Sequence, residues 1–215
     1  MSYKYFLFDL DGTLTDPFLG ITNSVAYSLK HYGINVEDNK ELAVFIGPPL
    51  YESFEKYYGF SKEGAIEAVE KYREYYRDKG IFENVLYSGA KDLLVTLKEK
   101  GVKIALATSK PEVFAIRILE HFGIKEYFHV ITGSLLSGER VKKDEVVAET
   151  LKRLNSPEKG ECVMIGDRSH DIVGGKANGI KTVGVLFGYG SEAELKEAGA
   201  DYIAKDFNDI KAQLL

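Results

Sequence analysis

The chain has 215 residues, 45% of them hydrophobic and 28% charged, with a formal net charge of −5. Such a length buries a full core without cross-links, and the acidic balance argues against a nucleic-acid polymer as partner, because binding a phosphate backbone needs a basic surface, while leaving room for a local basic pocket for a small anion. One cysteine, Cys162, leaves no internal disulfide. No apolar run approaches the roughly 20 residues that span a bilayer, and no basic leader opens the sequence, so a soluble cytoplasmic protein with no membrane partner is expected.

In chain order, Tyr3-Lys4-Tyr5-Phe6-Leu7-Phe8 is bulky and apolar without alternation, which predicts a strand over 3–9 buried on both faces. It runs into Asp9-Leu10-Asp11-Gly12-Thr13-Leu14-Thr15-Asp16. From Gly20 the period becomes helical: Ile21, Val25, Leu29 and Tyr32 recur at three and four, and Gly33 stops the helix. Asn39 is the expected cap of a short helix through Leu42 and Phe45. Gly47-Pro48-Pro49 then breaks the chain, since proline removes a donor and restricts the residue before it. A helix is expected near Leu50–Tyr57, and another capped by Ser61, with Ile66, Val69, Tyr72 and Tyr76 on one face. Residues 17–84 thus read as wholly helical.

After Gly89 strands and helices alternate. Helices are expected around Leu93–Leu97, from Pro111 in the first turn through Phe122, and over 141–154, 171–178, 192–198 and 207–215. Strands are expected over 102–107, 127–132, 161–165, 181–186 and 201–204. Alternation of this kind predicts an α/β fold, a Rossmann-like doubly wound parallel sheet covered on both faces. The helical block separates the first strand from the next and is too long to be a loop. The expected organisation is a core of 1–16 plus 85–215 and an inserted all-helical domain over 17–84, which begins just past the aspartates and would act as a lid.

Ligands of open α/β sheets bind at the carboxyl ends of the strands. Those ends carry Asp9 and Asp11, then Thr108-Ser109-Lys110, then Gly166-Asp167-Arg168-Ser169-His170-Asp171. Residues two apart on an extended segment face one side, so Asp9 and Asp11 can approach one phosphate together. Gly12 permits a tight turn that turns backbone N–H groups toward phosphate oxygens. Converging carboxylates repel, and a divalent cation with oxygen ligands, Mg²⁺, resolves that repulsion. A lysine among Lys110, Lys142 and Lys143, with hydroxyls around an acidic nucleophile, suits phosphoryl transfer through an aspartyl-phosphate.

Asp9-x-Asp11-Gly12-Thr13-Leu14-Thr15-Asp16, Thr108, Lys143 and Gly166-Asp167-x-x-x-Asp171 resemble, in order, the four motifs of haloacid dehalogenase-like hydrolases. The resemblance covers the whole chain, and the helical insertion looks like a C1 cap. It implies Asp9 as nucleophile and Asp11 as general acid and base. It also implies that Thr108 hydrogen-bonds the phosphoryl group, that Lys143 neutralises phosphate and nucleophile, and that Mg²⁺ is held by Asp9, the Asp11 carbonyl and Asp167. Asp171 would support the metal or Lys143. Gly12, Thr13, Ser109, Lys110, Arg140, Arg168 and Gly47 are the further candidate phosphate or substrate contacts. Where the family often has Lys-Pro, this chain has Lys142-Lys143-Asp144, so Lys142 remains a rival to Lys143.

Asp16-Pro17, Gly20-Ile21, Phe45-Ile46-Gly47-Pro48-Pro49-Leu50, Ala107-Thr108-Ser109-Lys110-Pro111 and Gly188-Tyr189-Gly190-Ser191 resemble a bacterial 5′-nucleotidase-like branch close to phosphoglycolate phosphatases. The resemblance implies a Mg²⁺-dependent phosphomonoesterase acting on a small phosphorylated metabolite, a nucleoside 5′-monophosphate among them. Phosphoglycolate hydrolysis and a phosphomutase activity are the alternatives, and a monomer or homodimer is expected. Plainer readings exist for single residues. Asp167 and Asp171 can cap a helix, Thr108-Ser109 can precede one, Lys110 and Lys143 can be solvated charges, and Arg140 and Arg168 can pair with surface acids.

Overall fold

A computed structural model describes residues 3–215. The elements in chain order begin with β1 (Tyr5–Phe8), β2 (Thr15–Asp16), α1 (Phe18–His31), a 3₁₀ segment (Asn39–Phe45), α2 (Leu50–Tyr58), α3 (Lys62–Tyr76) and β3 (Val85–Leu86). They continue with α4 (Ala90–Glu99), β4 (Lys103–Pro111), α5 (Glu112–His121), β5 (Val130–Ser134), α6 (Lys143–Arg153) and β6 (Cys162–Gly166). The chain closes with α7 (Ser169–Ala177), β7 (Lys181–Val185), α8 (Glu192–Glu197), β8 (Tyr202–Ala204) and α9 (Phe207–Leu214).

Six strands form one sheet in the order β5-β4-β1-β6-β7-β8, every ladder parallel. The expected α/β class, with a helical insertion between β1 and the rest of the sheet, is what the molecule has. β1 is central because Phe6, Leu7 and Phe8 are all fully buried, so it needs cover on both faces and a neighbour on both edges. The chain leaves β1 toward β4 and β5, then returns to its other side at β6. That reversal is the topological switch where ligands of open α/β sheets sit. The register pairs Phe8 with Leu106 on one side and with Ile165 on the other. One residue further, Asp9, Ala107 and Gly166 stand side by side.

The chain divides into two compact units, one holding the segment up to Asp16 together with Leu86–Leu215, the other Pro17–Val85. Within the second unit, α1 packs on α3, where the Ser28 hydroxyl donates to the Ala68 carbonyl at 2.7 Å. Its core comprises Val25, Leu29, Leu42, Phe45, Phe54, Ala65, Ala68, Val69, Tyr72 and Tyr76.

Several expectations need correction. Ile66 is 54% exposed; the buried face of α3 runs 65, 68, 69, 72 and 76, and residue 66 stands about 100° away from 65 on a 3.6-residue helix. Asp38, not Asn39, caps the 3₁₀ segment, accepting from the Lys40 N–H at 2.9 Å. β5 begins at Val130, because residues 125–127 form a 3₁₀ turn. β4 does not stop at Ala107: it continues to Pro111 through a register shift, so Thr108, Ser109 and Lys110 lie on a bulged strand end, a device that re-aims side chains. Pro111 precedes α5 rather than opening it. The two-residue strands β2 and β3 were not expected; runs that short carry no periodicity to read.

Candidate active site

The site grows from the ends of β1 and β6 and from the bulged last residues of β4. The Asp9 N–H donates to the Ile165 carbonyl at 2.9 Å, which carries the β1–β6 ladder one step past Phe8 and fixes Asp9 at the sheet edge. Gly12 then turns the chain with φ 81°, and its N–H donates to the Thr15 carbonyl at 2.8 Å. A side chain at Gly12 would be strained by that φ and would meet the Asp167 carboxylate, at 2.2 Å from Oδ2. The turn can close over Asp167 only with glycine.

Lys143, the first residue of α6, is buried and reaches the carboxylates. Its Nζ lies 2.8 Å from Asp9 Oδ1, 2.8 Å from Asp171 Oδ1, and donates to the Ala107 carbonyl at 3.1 Å. Burial by itself would lower this ammonium, but Asp171 and Asp9 outweigh it and hold it above the usual lysine range. Lys142 precedes α6 in an extended conformation, so the helix start separates the two lysines and sends Lys143 inward. Lys110 is likewise sheltered, its Nζ 2.6 Å from Asp11 Oδ2. Neither lysine is the solvated charge of the plainer reading.

Asp9, Asp167 and Asp171 offer carboxylate oxygens within 4.8 Å of one another, all three buried. Asp167 accepts from the Thr13 hydroxyl at 3.2 Å and from the Tyr189 N–H at 2.8 Å. Asp171 accepts from the Arg168 N–H at 3.0 Å, so it caps α7 and serves the cluster at once. Burial, followed by repulsion from Asp171 and Asp9, pushes the Asp167 carboxyl up to about 8. Burial also raises Asp171 against the pull of Lys143, and raises Asp11 against the pull of Lys110. Four carboxylates face two ammonium groups, a formal deficit of two positive charges. A divalent cation fits that deficit, and the all-oxygen donor set suits a hard one.

The remaining candidates separate. Thr108 is buried, its Oγ1 accepting from the Lys110 N–H at 3.3 Å, and Ser109 lies beside it on the same strand end. Thr13 is committed to Asp167. Arg140 stands apart: its guanidinium donates to the Gly133 carbonyl at 2.8 Å, pairs with Glu112 at 3.2 Å and approaches Glu149 at 3.9 Å. Arg168 pairs through Nε with Glu194 at 3.0 Å. Gly47, with φ 104°, belongs to the Pro17–Val85 unit. The sequence reading passed over Tyr189 as a site residue, although Gly188-Tyr189-Gly190 just past a strand end was the signal that could have found it.

A buried carboxylate cluster with two sheltered lysines, at the switch point of a parallel sheet, is suited to phosphoryl transfer. Residues 6–185 match the haloacid dehalogenase-like hydrolase family, and the chain belongs to that family. A Pseudomonas aeruginosa protein named 5′-nucleotidase is 45% identical over 214 residues, covering 100% of this chain and 96% of its own. The crystal structure of a predicted phosphatase from Clostridium acetobutylicum superposes with a TM-score of 0.95 at 46% identity, covering 99% of this chain and 98% of that one. A Mycobacterium tuberculosis protein named tyrosine-protein kinase PtkA is 44% identical over 184 residues, 86% of this chain but 62% of its own. The chain is a phosphatase of this family and acts on phosphorylated substrates. Among the described residues, no helix is long and apolar enough to cross a membrane.

Proposed function

We propose that the chain is a Mg²⁺-dependent phosphomonoesterase that works through an aspartyl-phosphate on Asp9 and takes nucleoside 5′-monophosphates. The single observation that carries the chemistry is Lys143 clamped between Asp9 and Asp171 at 2.8 Å each. That ion pair holds Asp9 as a fixed carboxylate at the sheet edge. The 5′-nucleotidase relative supports the choice of substrate.

In the first step an Asp9 carboxylate oxygen attacks phosphorus, the ester P–O bond breaks, and the leaving alcohol takes the proton of Asp11. Burial raises Asp11 and so favours the protonated form that this step needs. Its Oδ2 is tied to Lys110, while Oδ1 is buried with no hydrogen-bond partner among the described residues, which suits the oxygen that carries the proton. In the second step the Asp11 carboxylate takes a proton from water, the water oxygen attacks phosphorus, and the bond to Asp9 breaks to release phosphate. The Thr108 hydroxyl donates to the phosphoryl oxygens, and Lys143, whose N–H groups serve Asp9, Asp171 and the Ala107 carbonyl, bears on them through its positive charge. Asp9, Asp167, Asp171 and the Asp11 carbonyl would hold Mg²⁺, which supplies charge that offsets the carboxylates and phosphoryl oxygens.

Phosphate release from p-nitrophenyl phosphate, the nucleoside 5′-monophosphates and phosphoglycolate, compared as kcat/KM with Mg²⁺, tests the reading. A nucleoside 5′-monophosphate is expected to rank first. Release from none of them would overturn the hydrolase, and phosphoglycolate ranking first would overturn the substrate assignment.

A further inference from the structure

The Gly188-Tyr189-Gly190 loop follows β7 and has no part in the chemistry above. It lies against Asp167 more closely than any side chain would permit. A Cβ at Gly188 would sit 2.3 Å from the Asp167 Cβ and 2.3 Å from the Gly12 carbonyl oxygen, and one at Gly190 only 1.9 Å from the Asp167 carbonyl oxygen. Real Cβ contacts do not come so close, so both glycines are there to bring backbone onto this carboxylate. Between them the Tyr189 N–H donates to Asp167 Oδ2 at 2.8 Å, while the Thr13 hydroxyl holds Oδ1. The two oxygens of Asp167 are thus each aimed by a donor from its own surroundings.

The tyrosine side chain supplies the other end. Its hydroxyl donates to Asp16 Oδ1. Asp16 closes β2, on the same segment that leaves the nucleophile and forms the Gly12 turn. One residue therefore ties the segment beyond Asp9 to the carboxylate at the end of β6.

Resting on the reading that Asp9, Asp167 and Asp171 hold Mg²⁺, we infer that Tyr189 is a positioning residue for that ion. Its hydroxyl anchors the loop on Asp16, and the anchored loop presents the N–H that aims Asp167. The loop fixes the angle at which an existing ligand, Asp167, is offered. Outer partners of metal-binding carboxylates typically change metal affinity by about 10–100-fold when removed.

The test is calorimetric titration of Mg²⁺ into the full chain without substrate, for the native protein, Tyr189→Phe, Asp16→Ala and the double variant, with far-UV circular dichroism as the check on folding. Either single variant should weaken Mg²⁺ binding about tenfold. The double variant should be no weaker than the singles, because both remove one bond. A residue that only packs the loop would lower the melting temperature and leave the Mg²⁺ dissociation constant where it was; that result overturns the inference. Additive losses in the double variant also overturn it. Native protein that takes up no Mg²⁺ overturns both this inference and the metal reading beneath it, whereas native binding matched by the variants overturns this inference alone.

Discussion

Replacing Lys143 with methionine keeps an unbranched side chain, one atom shorter, and removes its charge. Each of its two carboxylate contacts, at 2.8 Å, is a gross attraction of roughly 6 kcal/mol at an effective dielectric of about 20. Much of that offsets the desolvation of three buried charges, so the net loss is smaller. Removing one partner of a buried pair costs about 3–5 kcal/mol, because the other charge stays buried and uncompensated. Here two carboxylates, Asp9 and Asp171, are left so. For a chain of this size about 1 kcal/mol moves the melting temperature by roughly 2–4 °C, which gives an expected drop of roughly 6–20 °C. Thermal unfolding followed by circular dichroism in excess chelator measures it without interference from a cation. Phosphate release should fall by about 10²–10³-fold as a preorganised donor is lost. A melting temperature within about 2 °C of the native value would refute the reasoning, since it would mean that Asp9 and Asp171 do not depend on this ammonium.

Asp9→Asn should reduce phosphate release to background while leaving the unfolding transition in place; turnover that persists removes Asp9 as the nucleophile. Gly12→Ala puts a methyl group 2.2 Å from Asp167 Oδ2 at φ 81° and should destabilise the chain by about 1–3 kcal/mol, read from chemical denaturation, with Mg²⁺ activation impaired alongside. Cys162 is buried in β6 and burial pushes its thiol up to about 11, so a thiol reagent at pH 8 should react only when the chain is unfolded; prompt labelling of native protein would contradict that burial. Asp201 feels burial as a raising influence, but Lys181 and the Thr182 N–H and hydroxyl outweigh it and hold the carboxyl below its usual range. Its stabilisation is therefore present above the unfolded value near 4 and lost as pH falls through the lower folded value. Asp201→Asn should cost about 1 kcal/mol at neutral pH, a figure reduced for its solvent exposure, and the difference from native should shrink below about pH 4.

The sequence by itself determined the class of fold, the family and the order of the motifs. Those properties are local. An apolar run such as Phe6-Leu7-Phe8 specifies a buried strand, and Gly12, Ser61 and Gly89 punctuate elements through backbone geometry that neighbours in sequence set. Asp9 and Asp11 were legible as chemistry because two charges at the end of such a strand demand a use. Tertiary structure decided what depends on which segments meet. Lys142 and Lys143 are adjacent and chemically equal, and only the start of α6 beside the sheet edge turns one of them onto Asp9 and Asp171. The bulge at the end of β4 decides that Lys110 pairs with Asp11, and Glu112 and Glu149 decide that Arg140 turns elsewhere. The clearest case is Asp167. Its place on a strand end was readable from Gly166-Asp167, but the donors that aim its two oxygens, Thr13 and Tyr189, lie 154 and 22 residues away. A hydrogen bond reaches about 3 Å in space and carries no mark of that reach in the linear chain.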